Sequence, residues 1–273
     1  MQGGEGAGNG PTQSVARALS ILTRFSDTRA LWRVSDLARE LELPQSTVSR
    51  LLATLESLGF VEQDPRTGLY GLGLELVTLA GVALNQIEVR RQAVGALSEV
   101  AAELGLAANL AVLRGDEIFY LATAEGPRAP KLYTMIGKRN PLHSTALGKA
   151  ILAHRPKAER DATIERISYP RFTTRTASST AELRTMLDET VARGYAVELE
   201  ELALGRACVA APIRDAAGVV TAATSISGPL SALALDRREQ ELANRVIEMA
   251  DEISHKLGFM TIPRAEVALA GSR

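Results

Sequence analysis

Residues 34–73 read VSDLARELELPQSTVSRLLATLESLGFVEQDPRTGLYGLG, two short helical patterns with a proline-marked turn between them and a hairpin behind them. In the first pattern Leu37, Ala38 and Leu41 recur at helical spacing, and Ser35 is placed to cap the start. Leu43 and Pro44 break that helix. Pro44 has the fixed φ suited to the first turn of the next one, which Gly59 ends. Along this next helix Val48, Leu51, Leu52, Leu55 and Leu58 share one face, so Ser46, Arg50 and Ala53 fall on the opposite face, flanked by Ser49. FVEQDPRTGLYGLG then reads as a strand, an Asp-Pro-Arg-Thr-Gly turn and a second strand. Upstream, Val15, Ala18, Leu19, Leu22 and Phe25 mark one more amphipathic helix. Three short helices followed by a hairpin form the pattern of a winged helix-turn-helix.

The outward face of the third helix is small, polar and basic near its start. That is the character needed in a DNA major groove, where arginine can bond guanine edges and short hydroxyl side chains approach bases or phosphates. Gln45, Ser46, Thr47, Ser49 and Arg50 on this helix, with Arg66 in the wing turn, are the candidate DNA-binding residues. The alternative for the helix alone is an ordinary solvated face, and the Arg66-bearing hairpin tips the balance to DNA. Arg17, Arg24, Arg29 and Arg33 against the lone Asp27 add a modest basic surface.

The whole chain has 273 residues, 46% of them hydrophobic and 23% charged, with a net charge of -1. That length suits two domains, and the near-neutral charge confines any DNA contact to a local surface. No apolar run is long enough to span a bilayer. The opening MQGGEGAGNGP is Gly-rich, without a basic start or an apolar core, and reads as a flexible tail rather than a signal peptide. A single cysteine, Cys208, fits a reducing cytoplasm and cannot form an internal disulfide.

From Leu74 to Arg91 the pattern is helical but apolar on more than one face: Leu76, Ala80, Ala83 and Ile87 form one stripe, while Val77, Val82 and Leu84 lie elsewhere. Such a linker needs cover, either the core of one larger domain or a second copy of the chain, and the second is favoured. Beyond it QAVGALSEVAAELG reads as a helix and LAANLAVLRGDEIFYLATA as two strands. Helical patterns recur at STALGKAILAH, KAERDATIERI, TAELRTMLDETVARG and RREQELANRVIEMADEISHKLG, with a second hairpin over GRACVAAPIRDAAGVVTAATSIS. The expected fold class is therefore α+β, an antiparallel sheet flanked by helices behind the winged helix. The expected organisation is a tail over 1–11, the winged helix-turn-helix over 12–73, a linker helix over 74–91, a second domain over 92–259 and a flexible tail over 260–273.

The stretches SVARALSILTRF, VSDLARELELPQSTVSRLLATLESLGFVEQD and TGLYGLG, with PLHSTALGKAILA, GYAVELEELALGRACVAAPIRD and TAATSISGP, resemble the IclR family of bacterial transcriptional regulators from about Thr12 to Phe259. The resemblance implies a winged-helix DNA reader, a linker helix and a GAF-like effector-binding domain, assembled as dimers and often as dimers of dimers. It also implies that Thr145, Ala146, Glu198, Cys208, Ser225 and Ser227 line the effector pocket. Many members carry aspartate where this chain has Glu198, followed here by Glu200 and Glu201.

Hairpin geometry supports that pocket independently. A four-residue loop at Asp215–Gly218 pairs Arg214 with Val219 and places Cys208 opposite Ser225, with Ser225 and Ser227 on the face of Cys208. The helix beginning near Ser144 offers free N–H groups around Thr145 and Ala146 to an anion. A carboxylate suits those donors, and Glu198 suits a hydroxyl, so the expected effector is a hydroxylated or aromatic mono-acid. No cofactor and no metal are expected, since His143, His154 and His255 show no ligand spacing with cysteine. The alternative from another class is an enzyme with Cys208 as nucleophile and His143 as base. The apolar run CVAAPI argues against an activated thiolate there. A purely structural oligomer is the third reading, weakened by the helix-turn-helix.

Overall fold

The computed structural model describes residues 11–129 and 136–260. They fall into two compact units that divide between Leu84 and Asn85. The Gly-rich start through Gly10 and the tail from Thr261 onward lie outside the described residues, whereas Pro11 already opens the first helix.

The first unit holds α1 (Pro11–Leu22), α2 (Val34–Glu40), α3 (Gln45–Ser57), β1 (Val61–Gln63) and β2 (Tyr70–Leu72), and most of α4 (Glu75–Gln86). Its core gathers Ile21, Trp32, Leu37, Val48, Leu52, Leu55, Val61 and Tyr70. Three expectations are corrected here. Val15 and Leu19 of α1 are exposed and Ile21 is fully buried, because only the last turns of this helix reach the core. Leu58 is exposed, since it is the cap residue beyond the last packed turn of α3. Ser35 does not cap α2: the helix begins one residue earlier, behind Arg33, whose carbonyl accepts from the N–H groups of Asp36 and Leu37. Pro44 stands at the cap of α3, with its carbonyl accepting from Thr47 and Val48.

The wing is tied to the helices by the one tryptophan of the chain. Trp32 and Tyr70 exchange both backbone hydrogen bonds, at 3.0 and 2.8 Å, so Trp32 adds a short third strand beside β2. Its indole N–H donates to the carbonyl of Arg24 at 3.1 Å. At the base of the hairpin a Cβ on Gly73 would stand 2.1 Å from the Gly59 carbonyl oxygen, a separation only glycine tolerates.

The helix expected to run through Arg91 stops at Gln86, because Ile87 takes an extended conformation, and a new helix starts behind it. No residue of α4 is buried, and Leu74, Val77, Leu79 and Val82 are all exposed.

The second unit contains α5 (Glu88–Leu104), β3 (Ala107–Arg114), β4 (Glu117–Glu125), β5 (Arg139–Pro141), α6 (Ala146–Ala153), α7 (Lys157–Arg166), α8 (Thr180–Arg193), β6 (Ala196–Leu199), β7 (Arg206–Arg214), β8 (Val220–Pro229), α9 (Leu230–Leu233) and α10 (Leu235–Lys256). Six strands form one antiparallel sheet in the order β5-β4-β3-β8-β7-β6. Helices α5 and α10 cover one face, where Thr224 of β8 meets Met249 of α10. By strand alternation Ala223, Ser225, Ser227, Cys208 and Ala210 look the other way. There the buried helix α6 and then α8 complete the core. The chain is thus α+β, as its alternating hairpins and helices lead one to expect.

The β7–β8 register differs from the expected one. The loop is five residues long, closed by Asp215 N–H donating to the Val219 carbonyl at 3.0 Å, and Arg214 pairs with Val220. A bulge at Thr221 adds a second step, so Cys208 lies opposite Ser227 and not Ser225. Two one-residue shifts restore parity, and both serines keep the face of Cys208.

Candidate effector pocket and DNA-reading helix

Helix α3 buries Val48, Leu52 and Leu55 and leaves Gln45, Ser46, Ser49, Arg50 and Ala53 exposed, with Thr47 half-buried. Arg50 has no ion-pair partner among the described residues. Arg66 stands at the wing tip, where its backbone N–H donates to the Asp64 carboxylate at 2.8 Å and its largely exposed guanidinium pairs loosely with the same carboxylate at 3.8 Å. Sequence reasoning grouped Arg24 and Arg29 with these, but both are engaged within the unit. Arg29 pairs with Asp36 at 2.7 Å and lies 3.4 Å above the Trp32 ring, and Arg24 pairs with Glu40.

In the second unit all six expected pocket residues line one narrow cavity of about 20 Å³: Thr145, Ala146, Glu198, Cys208, Ser225 and Ser227. Asn109, Tyr120, Leu147, Leu202 and Arg206 complete its wall. That is room for little more than one water, far below the roughly 300–1,000 Å³ usual for ligand pockets, so an organic effector has to widen the cavity by moving its walls.

Each wall residue has a local cause. Thr145 caps α6: its hydroxyl accepts from Gly148 N–H at 3.1 Å and donates to the Pro141 carbonyl at 2.9 Å. Lys149 N–H bonds the Thr145 carbonyl, which leaves the N–H groups of Ala146 and Leu147 without an acceptor in the helix. Gly148 permits this close turn, because a Cβ there would lie 2.4 Å from the Leu142 carbonyl oxygen. Glu198 faces Cys208 across the β6–β7 ladder. Its carboxylate accepts from the N–H groups of Glu201 at 2.7 Å and Leu202 at 3.2 Å. Burial outweighs those bonds and raises its pKa to about 7.

The two acidic residues that follow do not line the cavity. Glu200 pairs with Arg175, and Glu201 forms a buried pair with Lys149 of α6, 2.5 and 2.7 Å from Nζ to the two carboxylate oxygens. Thr173 and Thr176 donate to the carbonyls of Glu200 and Glu201, both at 2.6 Å. These contacts hold the loop that presents Leu202 to the cavity.

Cys208 is an unactivated thiol. Burial pushes its pKa up to about 12, and the Glu198 carboxyl adds to the shift. His143 is not in this cavity but in a separate cleft, with Nε2 against the Pro170 carbonyl. The pair a thiol enzyme would need is therefore not assembled. No cluster of three or more metal-ligating side chains occurs among the described residues, and no described helix is long and apolar enough to cross a membrane.

A winged helix in one unit and an α+β unit with a small polar cavity in the other make up a ligand-responsive DNA-binding regulator. The IclR helix-turn-helix domain matches residues 14–65, and the bacterial transcriptional regulator IclR C-terminal domain matches residues 81–255. The chain belongs to the IclR family of transcriptional regulators. It is 37% identical to the HTH-type transcriptional regulator XynR of Escherichia coli over 215 residues, 79% of this chain and 85% of that one. The Thermotoga maritima IclR crystal structure superposes with a TM-score of 0.78 at 28% identity, over 91% of this chain and 100% of that one. An IclR homolog from Microbacterium hydrocarbonoxydans, crystallised with 4-hydroxybenzoate, gives 0.78 at 26% identity, covering 89% and 98%.

Proposed function

We propose that this regulator binds double-stranded operator DNA through Gln45, Ser46, Thr47, Ser49, Arg50 and Arg66, acting in the cytoplasm as a homodimer or dimer of dimers. Its operator affinity is set by a small organic acid in the cavity of the second unit. The observation that carries this reading is the meeting of Thr145, Ala146, Glu198, Cys208, Ser225 and Ser227 in one cavity, although they come from three separate stretches of chain. The carboxylate rests on the N–H groups of Ala146 and Leu147, where the helix dipole favours a negative charge, with the Arg206 guanidinium in the same wall. Glu198 takes a hydroxyl at the other end. A hydroxylated aromatic mono-acid has this chemistry, and the Microbacterium hydrocarbonoxydans homolog is complexed with one, 4-hydroxybenzoate.

The test is a thermal-shift and gel-shift screen of organic acids, 4-hydroxybenzoate among them, on the wild type and on Ser225→Leu. The active acid is expected to stabilise the wild type in proportion to the logarithm of its concentration and to alter operator retention. It should do neither in the variant. An acid that acts equally on both proteins would show that the cavity is not its site.

A further inference from the structure

Asn109 of β3 is a buried part of the cavity wall, hydrogen-bonded at both ends of its amide. Its amide nitrogen donates to the hydroxyl oxygens of Ser227 at 3.0 Å and Ser225 at 3.3 Å, and its carbonyl oxygen accepts from the Thr123 hydroxyl at 2.9 Å. The opposite amide orientation would leave one buried N–H without an acceptor, because Thr123 can take only one of the two protons. A carbonyl oxygen with a single partner is tolerated, whereas an orphaned buried N–H is costly. Satisfaction of the amide therefore selects the orientation seen.

A hydroxyl that accepts from an amide keeps its own proton to donate elsewhere. Among the described residues neither Ser225 nor Ser227 donates to a carbonyl or carboxylate. Ser225 lies within hydrogen-bonding reach of Cys208, but a protonated thiol is a weak acceptor. Tyr120, on the adjacent strand in the same cavity wall, repeats the arrangement more loosely, its hydroxyl oxygen 3.5 Å from the Asn140 amide nitrogen.

We propose that Asn109 sets the hydrogen-bond polarity of the effector pocket, turning Ser225 and Ser227 into donors so that this wall favours a hydrogen-bond acceptor over a donor. Asn109 is thus a specificity-determining residue that acts through the two serines. The proposal rests on the reading of this cavity as the effector site. It deepens that reading by naming what discriminates an acid from its neutral amide.

Two measurements test it. Neutron diffraction from the perdeuterated, effector-free protein reads the polarity directly. Deuterons on the Ser225 and Ser227 oxygens are expected to point into the cavity, with both Asn109 amide deuterons on the serines. Serine deuterons directed at the Asn109 side chain would overturn the proposal. Calorimetric titration with 4-hydroxybenzoate and with 4-hydroxybenzamide, which has the same ring and hydroxyl but an amide in place of the carboxylate, reads the specificity. The wild type is expected to prefer the acid by at least about tenfold, since the carboxylate offers two acceptor oxygens to the donor wall and the amide only one.

Asn109→Leu frees the serine hydroxyls to turn, and should narrow that ratio by about tenfold. A merely structural role would weaken both probes alike and leave the ratio unchanged, which would overturn the proposal. Should Asn109→Leu fail to fold, Thr123→Val removes the bond that orients the amide and is expected to narrow the ratio in the same direction. If neither probe binds the wild type while the serine deuterons face the cavity, the acid-effector reading fails and the donor wall stands.

Discussion

Glu198 holds a carboxyl group in a place where burial outweighs two backbone N–H donors and the nearby Lys149 charge, so it takes up a proton near neutrality, at about 7 against an ordinary 4.5. A folded-state pKa above the unfolded one means that folding favours the protonated form. The stabilisation is complete below about 4.5 and is lost as pH rises through about 7. At about 1.4 kcal/mol per unit, the group contributes on the order of 3 kcal/mol across that window. Glu198→Gln is therefore expected to flatten the pH dependence of thermal unfolding between pH 5 and pH 8. An unchanged slope would assign the titration to another group. The same proton acts on ligand binding, because a charged Glu198 repels a carboxylate. Acid affinity should fall from pH 6 to pH 8 in the wild type and stay level in the Gln variant.

Helix α3 separates its duties by face, with Val48, Leu52 and Leu55 in the core and Arg50 exposed on the other side. Arg50→Ala is thus expected to leave thermal stability within about 0.5 kcal/mol of the wild type. Operator binding should weaken by about 1–3 kcal/mol, the value of a good base contact. Unaltered affinity in a gel-shift titration would remove Arg50 from the interface. The wing depends on a different kind of constraint. With a Cβ 2.1 Å from the Gly59 carbonyl oxygen, Gly73→Ala must displace the start of the chain into α4 or open the hairpin. A loss of more than about 2 kcal/mol in denaturant unfolding is expected. A fully stable variant would mean that the hairpin base yields freely.

At the scale of the whole molecule the exposed apolar residues of α4 are the feature a single chain does not explain. Leu74 is 74%, Val77 66% and Val82 55% exposed, and α4 buries none of its residues. Contiguous apolar surface of this kind marks an interaction site. The proposed second copy of the chain would cover it with two-fold symmetry, which would also suit a palindromic operator. Light scattering at micromolar concentration should give a mass of at least two chains, and Val77→Glu combined with Val82→Glu should lower it. A wild-type mass of one chain would refute the assembly.

Local patterns in the sequence were enough to place the three helices and hairpin of the first unit and the α+β alternation of the second, because spacing at 3.6 or 2.0 residues reports which face is buried. The parity of β7 and β8 was legible for the same reason: any even shift of register keeps Ser225 and Ser227 beside Cys208, so the bulge at Thr221 did no harm to the pocket assignment. Family resemblance supplied Glu198, and the helix start near Ser144 pointed to Thr145 and Ala146. What no local pattern contains is which distant residue stands behind another. Trp32 as a third strand of the wing, Arg29 stacked on it, and Ile21 in place of Val15 and Leu19 all depend on packing between segments. Asn109, 116 residues from Ser225, and the buried Lys149–Glu201 pair are decided only when β3 lies beside β8 and α6 closes over the sheet. Periodicity is a property of one element, whereas the polarity of a pocket wall belongs to neighbours that the chain brings together only by folding.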